Sequence, residues 1–266
     1  RQCLVAPFLH ALHDVIAHER DTGQTPTMDS LWHRYSHHLS ISVDALKQGK
    51  DWHMERHSRF TAEIVLNLFM HGTIERGLDV AEGGVDIYNL AVDGLGLATV
   101  ADSLAAIEQR VVGETRLNWQ QLDQHLASDW ADAEDVRLMM QGIARFGTGG
   151  SRADYWAQRV SECYSELVRG TPTPKGFRML PGLFSHGAVH VFGAKLDATP
   201  NGRRKGDPIS HSGNPDPGFL PGGGGAPTAK STAVAAVQPR WGNTTPLQLD
   251  LDSSLAHTIG EIGRAH

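Results

Sequence analysis

Only two cysteines, Cys3 and Cys163, occur in the 266 residues, too few for a disulfide framework and in keeping with a reducing compartment. No apolar run approaches the roughly 20 residues that span a bilayer. The start, Arg1-Gln2-Cys3-Leu4-Val5, has none of the charged, apolar and small-residue regions of a leader. Positive charge is also in short supply, with 24 Lys and Arg against 30 Asp and Glu and a net charge of -6. Such a surface repels phosphate, which argues against a nucleic-acid partner. A small-molecule partner and a cytoplasmic location are therefore expected, with no membrane contact. With no initiator Met, the natural beginning is expected upstream of Arg1. What the chain does have is enough apolar material, 40% of its residues, for one sizeable core.

The first half carries helical periodicity. Leu31, Tyr35, Leu39, Val43 and Leu46 recur at helix spacing behind Asp29 and Ser30 as caps. A second helix is predicted from Phe60 to Thr73, its apolar face built by Ile64, Val65, Leu68 and Phe69. Val100, Leu104, Ile107 and Val111 predict another from Val100 to Val112, opened by a turn at Gly94 and Gly96. Leu117 to Arg145 and Ala153 to Val168 read as two more. After Thr171 the prolines Pro172, Pro174 and Pro181 break helices. Strands are then predicted at Leu183 to Phe192, Thr232 to Gln238 and Pro246 to Leu251. The class is thus α/β, with a helix-rich first half and strands late. Between the strands lies Asp197 to Lys230, dense in Gly, Pro, Asn and Ser, for which a defined path is favoured over disorder.

The most specific string is Ala198-Thr199-Pro200-Asn201-Gly202-Arg203-Arg204-Lys205-Gly206-Asp207-Pro208. Physically it is a basic turn presenting three consecutive cations, and it also fits an exposed loop whose arginines pair with carboxylates elsewhere. This string resembles the Ala-Thr-Pro-Asp-Gly-Arg turn and Gly-acid-Pro step of the glycyl-radical enzymes, the pyruvate formate-lyase-like family, with Asn201 in place of the usual Asp. Upstream, Glu82-Gly83-Gly84, Tyr88-Asn89, Gly94-Leu95-Gly96-Leu97-Ala98 and Val100-Ala101-Asp102-Ser103-Leu104-Ala105-Ala106-Ile107 are similar to that family's succession in the same order. Thr99 stands where the family often has Asn. The likeness runs through Gly182-Leu183-Phe184-Ser185 and Gly193 and fades into Gly242-Asn243-Thr244-Thr245-Pro246-Leu247-Gln248-Leu249-Asp250.

The resemblance implies part of a ten-stranded α/β barrel wrapped by helices, with the active site at its centre. It implies a lyase of formate acetyltransferase or dehydratase type, cleaving a C–C, C–O or C–N bond by radical hydrogen abstraction in anaerobic metabolism. No cofactor is bound directly in that family. A glycine-centred radical is installed by an activating enzyme that uses an iron-sulfur cluster and S-adenosylmethionine, and it generates a thiyl radical on a loop cysteine. A homodimer is expected at full length. Neither a Gly-Cys-x-Glu loop nor an Arg-Val-x-Gly-Tyr loop occurs in this sequence. Cys3 has the wrong neighbours for the thiyl residue, and Cys163 fits a small buried helix residue better. The chain therefore reads as a fragment of the C-terminal half, residues 1–260, lacking both radical loops, with no catalytic residue of its own and inactive as it stands. The hexapeptide Glu261-Ile262-Gly263-Arg264-Ala265-His266 reads as a non-native, adapter-encoded tail, or else as a natural polar one.

If Leu183 to Phe192 is a strand, His186, Ala188 and His190 share one face. By the resemblance that face meets substrate, with His186 as hydrogen bonder or proton carrier; structural histidines explain them equally. Thr199, Pro200, Asn201, Gly202 and Arg203 are the motif residues carried over. No metal is expected. His33 with His37, and His53 with His57, sit at i,i+4 spacing without a third ligand or a His-Glu-x-x-His pattern, and His186 and His190 would lie roughly 13 Å apart along a strand. Gly224-Gly225-Ala226-Pro227-Thr228-Ala229-Lys230-Ser231 nearly matches a phosphate loop but has Ala229 where Gly is needed. It leaves a non-catalytic or phosphate-ligand-binding protein of the same fold as the alternative. As a partial barrel, the isolated chain is expected to expose strand edges and apolar faces and to be poorly stable.

Overall fold

The computed structural model describes residues 2–185, 187–216, 227–239, 242 and 245–248. A short parallel sheet lies at its centre, in the order β1-β2-β3, with β1 (Gln2–Cys3) and β3 (Met179–Gly182) flanking β2 (Leu90–Leu95). Cys3 is in register with Leu95, Leu90 with Met179 and Asp93 with Gly182. Parallel neighbours need long crossovers, and helices supply them. Between β1 and β2 run α1 (Val5–Thr22), α2 (Met28–Phe60) and the single turns α3 (Ile64–Asn67) and α4 (Thr73–Arg76). Between β2 and β3 run α5 (Leu97–Ala106), α6 (Trp119–Ala127), α7 (Glu134–Gln141) and α8 (Arg152–Gly170). A π-helical turn, Ile107–Gly113, extends α5. Two further helices, α9 (Ala188–Gly193) and α10 (Pro227–Ala236), follow β3.

The sheet and α5 form the deepest layer. Every residue of α5 is buried, and Leu4, Leu95, Leu97, Leu104, Tyr164 and Leu183 have no exposed surface. Tyr164 on α8 donates its hydroxyl to the Val92 carbonyl (2.7 Å), which fixes α8 across the middle of β2. Gly96 has φ +86° between β2 and α5, and a Cβ there would strike Val5. That left-handed, crowded position suits glycine alone.

The α2 reading holds, although its cap is Thr27, whose hydroxyl accepts from the Ser30 N–H while the Ser30 hydroxyl accepts from the Thr27 N–H. The predicted helix from Phe60 to Thr73 is not formed. The chain winds instead around the Asp79 carboxylate, which accepts from the Glu63 N–H, the Asn67 amide and the Ala81 N–H. Burial opposes ionisation of Asp79, but these donors together hold its carboxyl below the usual range. The intended apolar face is left outside, with Ile64, Val65, Leu68 and Phe69 all more than 60% exposed.

The predicted helix Leu117 to Arg145 is two helices. Asp129, Trp130 and Asp132 adopt positive φ between α6 and α7, and the break lets Trp130 enter the core with its indole N–H on the Arg203 carbonyl, 3.3 Å away.

Two late strands are helices. Leu183 to Phe192 contains α9, because pairing with β2 ends at Gly182 and Ser185 then bonds to Ser212 in place of a strand neighbour. Thr232 to Gln238 belongs largely to α10, which opens on Pro227 at the position where a missing N–H costs nothing. Lys230, Ala233, Val234 and Val237 are buried there at helical spacing. Pro246 to Gln248 form no strand, and 249–251 lie outside the described residues. Of the long loop, 197–216 follows a defined path, as expected.

Candidate functional site at the carboxyl ends of the strands

Ligand sites in parallel sheets gather at the carboxyl ends of the strands. Here that edge is made by Leu4 after β1, Gly96 after β2 and Leu183 to Ser185 after β3, and one segment, Thr199 to Asn214, is tied across it. Three hydrogen-bonded clasps hold the segment. Thr99 and Ser210 exchange bonds, the Thr99 N–H to the Ser210 hydroxyl (3.0 Å) and the Ser210 N–H to the Thr99 hydroxyl (2.9 Å). Ser185 and Ser212 do the same at 3.2 and 2.8 Å. The Asn201 N–H donates to the Ser103 hydroxyl (3.2 Å). All six residues are buried.

The basic turn is not an exposed loop. Thr199, Asn201 and Arg203 have 0–2% exposure. Among the described residues Arg203 pairs with no carboxylate; its guanidinium donates to four backbone carbonyls, Asp197 (2.7 Å), Asp207 (3.0 Å), Gly193 (3.0 Å) and Leu196 (3.3 Å). Burial lowers its pKa from the ordinary arginine value. Gly193, Leu196 and Asp197 lie at or just beyond the end of α9, so this one cation caps a helix C-terminus and closes the turn together. Arg204 and Lys205, in contrast, face outward onto Glu134 and Asp197.

Asn201 is held by its side-chain oxygen, which accepts from the Thr199 hydroxyl (2.6 Å) and the Arg203 N–H (3.3 Å), while its buried amide nitrogen has no partner among the described residues. Gly202 has φ +85°, and a Cβ there would meet Gln141 and the Arg137 carbonyl. Beneath the turn, Arg145 joins Asp102 of the Val-Ala-Asp-Ser string (Nε to Oδ2, 3.0 Å) to the Asn201 carbonyl (3.4 Å). Burial pushes the Asp102 carboxyl up despite this guanidinium and the Phe146 N–H at 2.8 Å. The two strings most alike to the family are therefore one hydrogen-bonded unit in space.

Beside the turn opens a cavity of about 430 Å³, lined by Gln141, Val189, His190, Arg203, Asp207 and His211 among others. His190 and the turn residues Gly202 and Arg203 thus meet at one surface. Ala188, two positions earlier on α9, is buried in the core instead, so the shared strand face expected for His186, Ala188 and His190 does not exist; His186 lies outside the described residues. Sequence reasoning missed His211, whose Nδ1 lies 3.1 Å from the Ser212 hydroxyl. Its signal was weak, a histidine in an otherwise small and polar run.

Neither cysteine is activated. Burial raises the Cys3 thiol and pushes Cys163 up to about 11. Among the described residues no three His, Cys, Asp or Glu side chains converge as metal ligands, and no helix is long and apolar enough to cross a membrane. Of the near phosphate loop, Lys230 is buried on α10 and Ser231 donates its hydroxyl to the Pro227 carbonyl (2.8 Å); 224–226 lie outside the described residues.

Comparison with known proteins accords with this geometry. The family model described as pyruvate formate lyase-like matches residues 13–193. The (2S)-3-sulfopropanediol dehydratase of Klebsiella oxytoca is 30% identical over 152 residues, 56% of this chain and 18% of the relative. The trans-4-hydroxy-L-proline dehydratase of Clostridioides difficile is 26% identical over 155 residues, 58% of this chain and 20% of the relative. In structure, a protein of 1,2-propanediol dehydration from Roseburia inulinivorans superposes with a TM-score of 0.75 at 22% identity, over 90% of this chain and 32% of its own. The chain spans about a fifth of the length of the curated relatives. With more than half of its residues under the family model and its two signature strings folded into one unit, the chain belongs to the pyruvate formate lyase-like family of glycyl-radical enzymes and corresponds to part of such an enzyme.

Proposed function

We propose that this chain is the part of a glycyl-radical lyase, of dehydratase type, that supplies three strands of its ten-stranded barrel and the turn closing their carboxyl ends. The observation that carries the reading is the clasped unit of Thr99, Asp102, Ser103 and Arg145 with Thr199 to Ser212. It joins the family strings at the edge where parallel sheets bind ligands. The lyase class is supported by the relatives, and the two curated ones named above are dehydratases. The relatives named above give no support to the formate acetyltransferase type.

The proposed substrate is a small hydroxylated molecule that loses its leaving group after hydrogen abstraction. His190 faces the substrate side, while Thr199 to Arg203 hold the edge in shape and do not react. The cysteine and glycine that carry the radical belong to parts of the enzyme outside residues 1–260, as does the docking site of the activating enzyme, and residues 261–266 are a non-native tail in this reading. In this reading the 266 residues alone are inactive, and the whole enzyme is a cytoplasmic, anaerobic homodimer.

The test is to read the coding sequence through both ends and express the whole product anaerobically with its activating enzyme and S-adenosylmethionine. A glycyl radical signal in electron paramagnetic resonance and water elimination from a 1,2-diol or a hydroxylated amino acid are expected. Acetyl transfer from pyruvate to coenzyme A, or a complete gene product without radical, overturns the reading.

A further inference from the structure

A chain of aromatic rings leads from the core to the surface and takes no part in the turn or the sheet edge. Tyr35 on α2 is fully buried, and its ring lies 5.6 Å from Trp32; Trp32 lies 5.7 Å from Trp156 on α8, and Trp156 lies 5.3 Å from Tyr155. Tyr155 is 43% exposed. Consecutive contacts of this kind couple the π systems of neighbouring rings closely enough for an electron to pass between them.

The groups around the rings give the path a direction. Among the described residues the Tyr35 hydroxyl has no hydrogen-bond partner, so its proton has no acceptor there and a phenoxyl radical does not settle on it. Arg159 lies over Trp32 at 4.2 Å and over Trp156 at 5.2 Å, and Arg152 lies over Trp156 at 5.6 Å. The Glu108 carboxylate beside Trp156 offsets the cations there, so a positive hole is opposed more strongly on Trp32, which has the nearest guanidinium. Trp156 also donates its indole N–H to Glu108 Oε2 at 2.7 Å. Arg152, which stacks on Tyr155 at 4.1 Å, spends its charge on the same carboxylate through two contacts of 2.7 Å.

We propose that Trp32, Trp156 and Tyr155 form an oxidation relay, with Trp156 on Glu108 as its sink and Tyr155 as its outlet. A one-electron oxidant of the sulfur-radical or peroxyl class takes an electron from Trp32 and becomes its anion. Trp156 refills Trp32, and the hole on Trp156 is offset by Glu108, which takes up or shares the indole proton. Tyr155 then returns an electron to Trp156, Glu108 returns the proton, and the Tyr155 hydroxyl releases its own proton to water. The resulting surface phenoxyl is open to soluble reductants, so oxidising equivalents leave the core without consuming it. The relay rests on the rings and the charged groups around them and does not depend on the proposed lyase chemistry.

The experiment places a ruthenium photo-oxidant on His33→Cys, an exposed position beside Trp32, in the full chain. Flash oxidation without oxygen is followed by transient absorption. A tyrosyl signal that Tyr155→Phe removes is expected. Trp156→Phe should cut its yield several-fold, and Glu108→Gln should lower it while leaving all rings in place. Trp52→Phe, which alters an exposed indole off the path, should change nothing. Far-ultraviolet circular dichroism checks that each variant is folded; should Trp156→Phe not fold, Glu108→Gln and Tyr155→Phe decide. An undiminished tyrosyl yield in Glu108→Gln, or a signal that survives Tyr155→Phe, overturns the relay.

Discussion

Replacing Arg203 with lysine tests the account of the turn most directly. The guanidinium reaches four carbonyls that approach from different directions, at 2.7 to 3.3 Å. A lysine ammonium is a single point donor and cannot span them, so at least two of the four are left without a partner in a site 2% exposed. Hydrogen bonds to a charged group contribute about 1.5–3 kcal/mol each, which places the cost of Arg203→Lys at about 3–6 kcal/mol. Against a typical domain stability of about 5–15 kcal/mol that is a large fraction. Urea unfolding followed by tryptophan fluorescence measures it as a fall in midpoint at constant slope. Arg204→Lys is the control, because the Arg204 side chain is 42% exposed and, among the described residues, bonds to Glu134 and the Asp129 carbonyl; a change within about 0.5 kcal/mol is expected. The reasoning fails if Arg203→Lys stays within about 1 kcal/mol of the wild type, or if the two substitutions cost the same.

Gly202→Ala places a side chain at φ +85° and should cost about 1–2 kcal/mol from the backbone alone, with more from its clash with Gln141, as read by thermal melting. Asp102→Asn breaks the buried Asp102–Arg145 ion pair and should cost about 3–5 kcal/mol in the same urea assay. The Glu108 carboxyl is opposed by burial, yet its bonds from Arg152 and Trp156 hold it below the ordinary 4.5. Its stabilisation is therefore full above that pH and lost as pH falls through the lower folded value, so wild type and Glu108→Gln should converge in acid denaturation. Asp102 has the opposite sign, since its raised carboxyl disfavours the folded state as pH rises above 3.8 and through its folded value. Finally, Phe69 and Ile87 are 81% and 84% exposed within an apolar surface; Phe69→Glu with Ile87→Lys should reduce self-association of the chain in analytical ultracentrifugation.

The helices of the first half were legible because their apolar spacing is the spacing that is buried: Leu31, Tyr35, Leu39 and Val43 all lie in the core. The same logic failed at Ile64 to Phe69, where the apolar stripe is real but does not face the core of this chain, so periodicity reported a surface that nothing here covers. The late elements failed for another reason. Thr232 to Gln238 is rich in β-branched and small residues that suit a strand locally, and the burial of Ala233, Val234 and Val237 along one helix face is a tertiary decision. In the turn, composition announced cations, but three neighbouring basic residues have two fates. Contacts with the end of α9 and the loop on either side of the turn, from Gly193, Leu196, Asp197 and Asp207, separate the buried Arg203 from its successors. His190 was expected on a strand face shared with Ala188, and it lies instead on α9, where a helix parts the two.

The sheet order carries a consequence for synthesis. The middle strand, residues 90–95, has one partner about ninety residues behind it and another about as far ahead. A growing chain can therefore pair β2 with β1 while β3 is still unmade, and the hydrogen-bonding edge of β2 stays open until residue 182 has left the ribosome. Pairings of such long range are slow to form, and the half-built sheet is the species most exposed to association with another chain. Slowing translation after α8 should lengthen the life of that open edge, and the yield of folded protein should depend on the codons ahead of β3 more than on those of the strand itself.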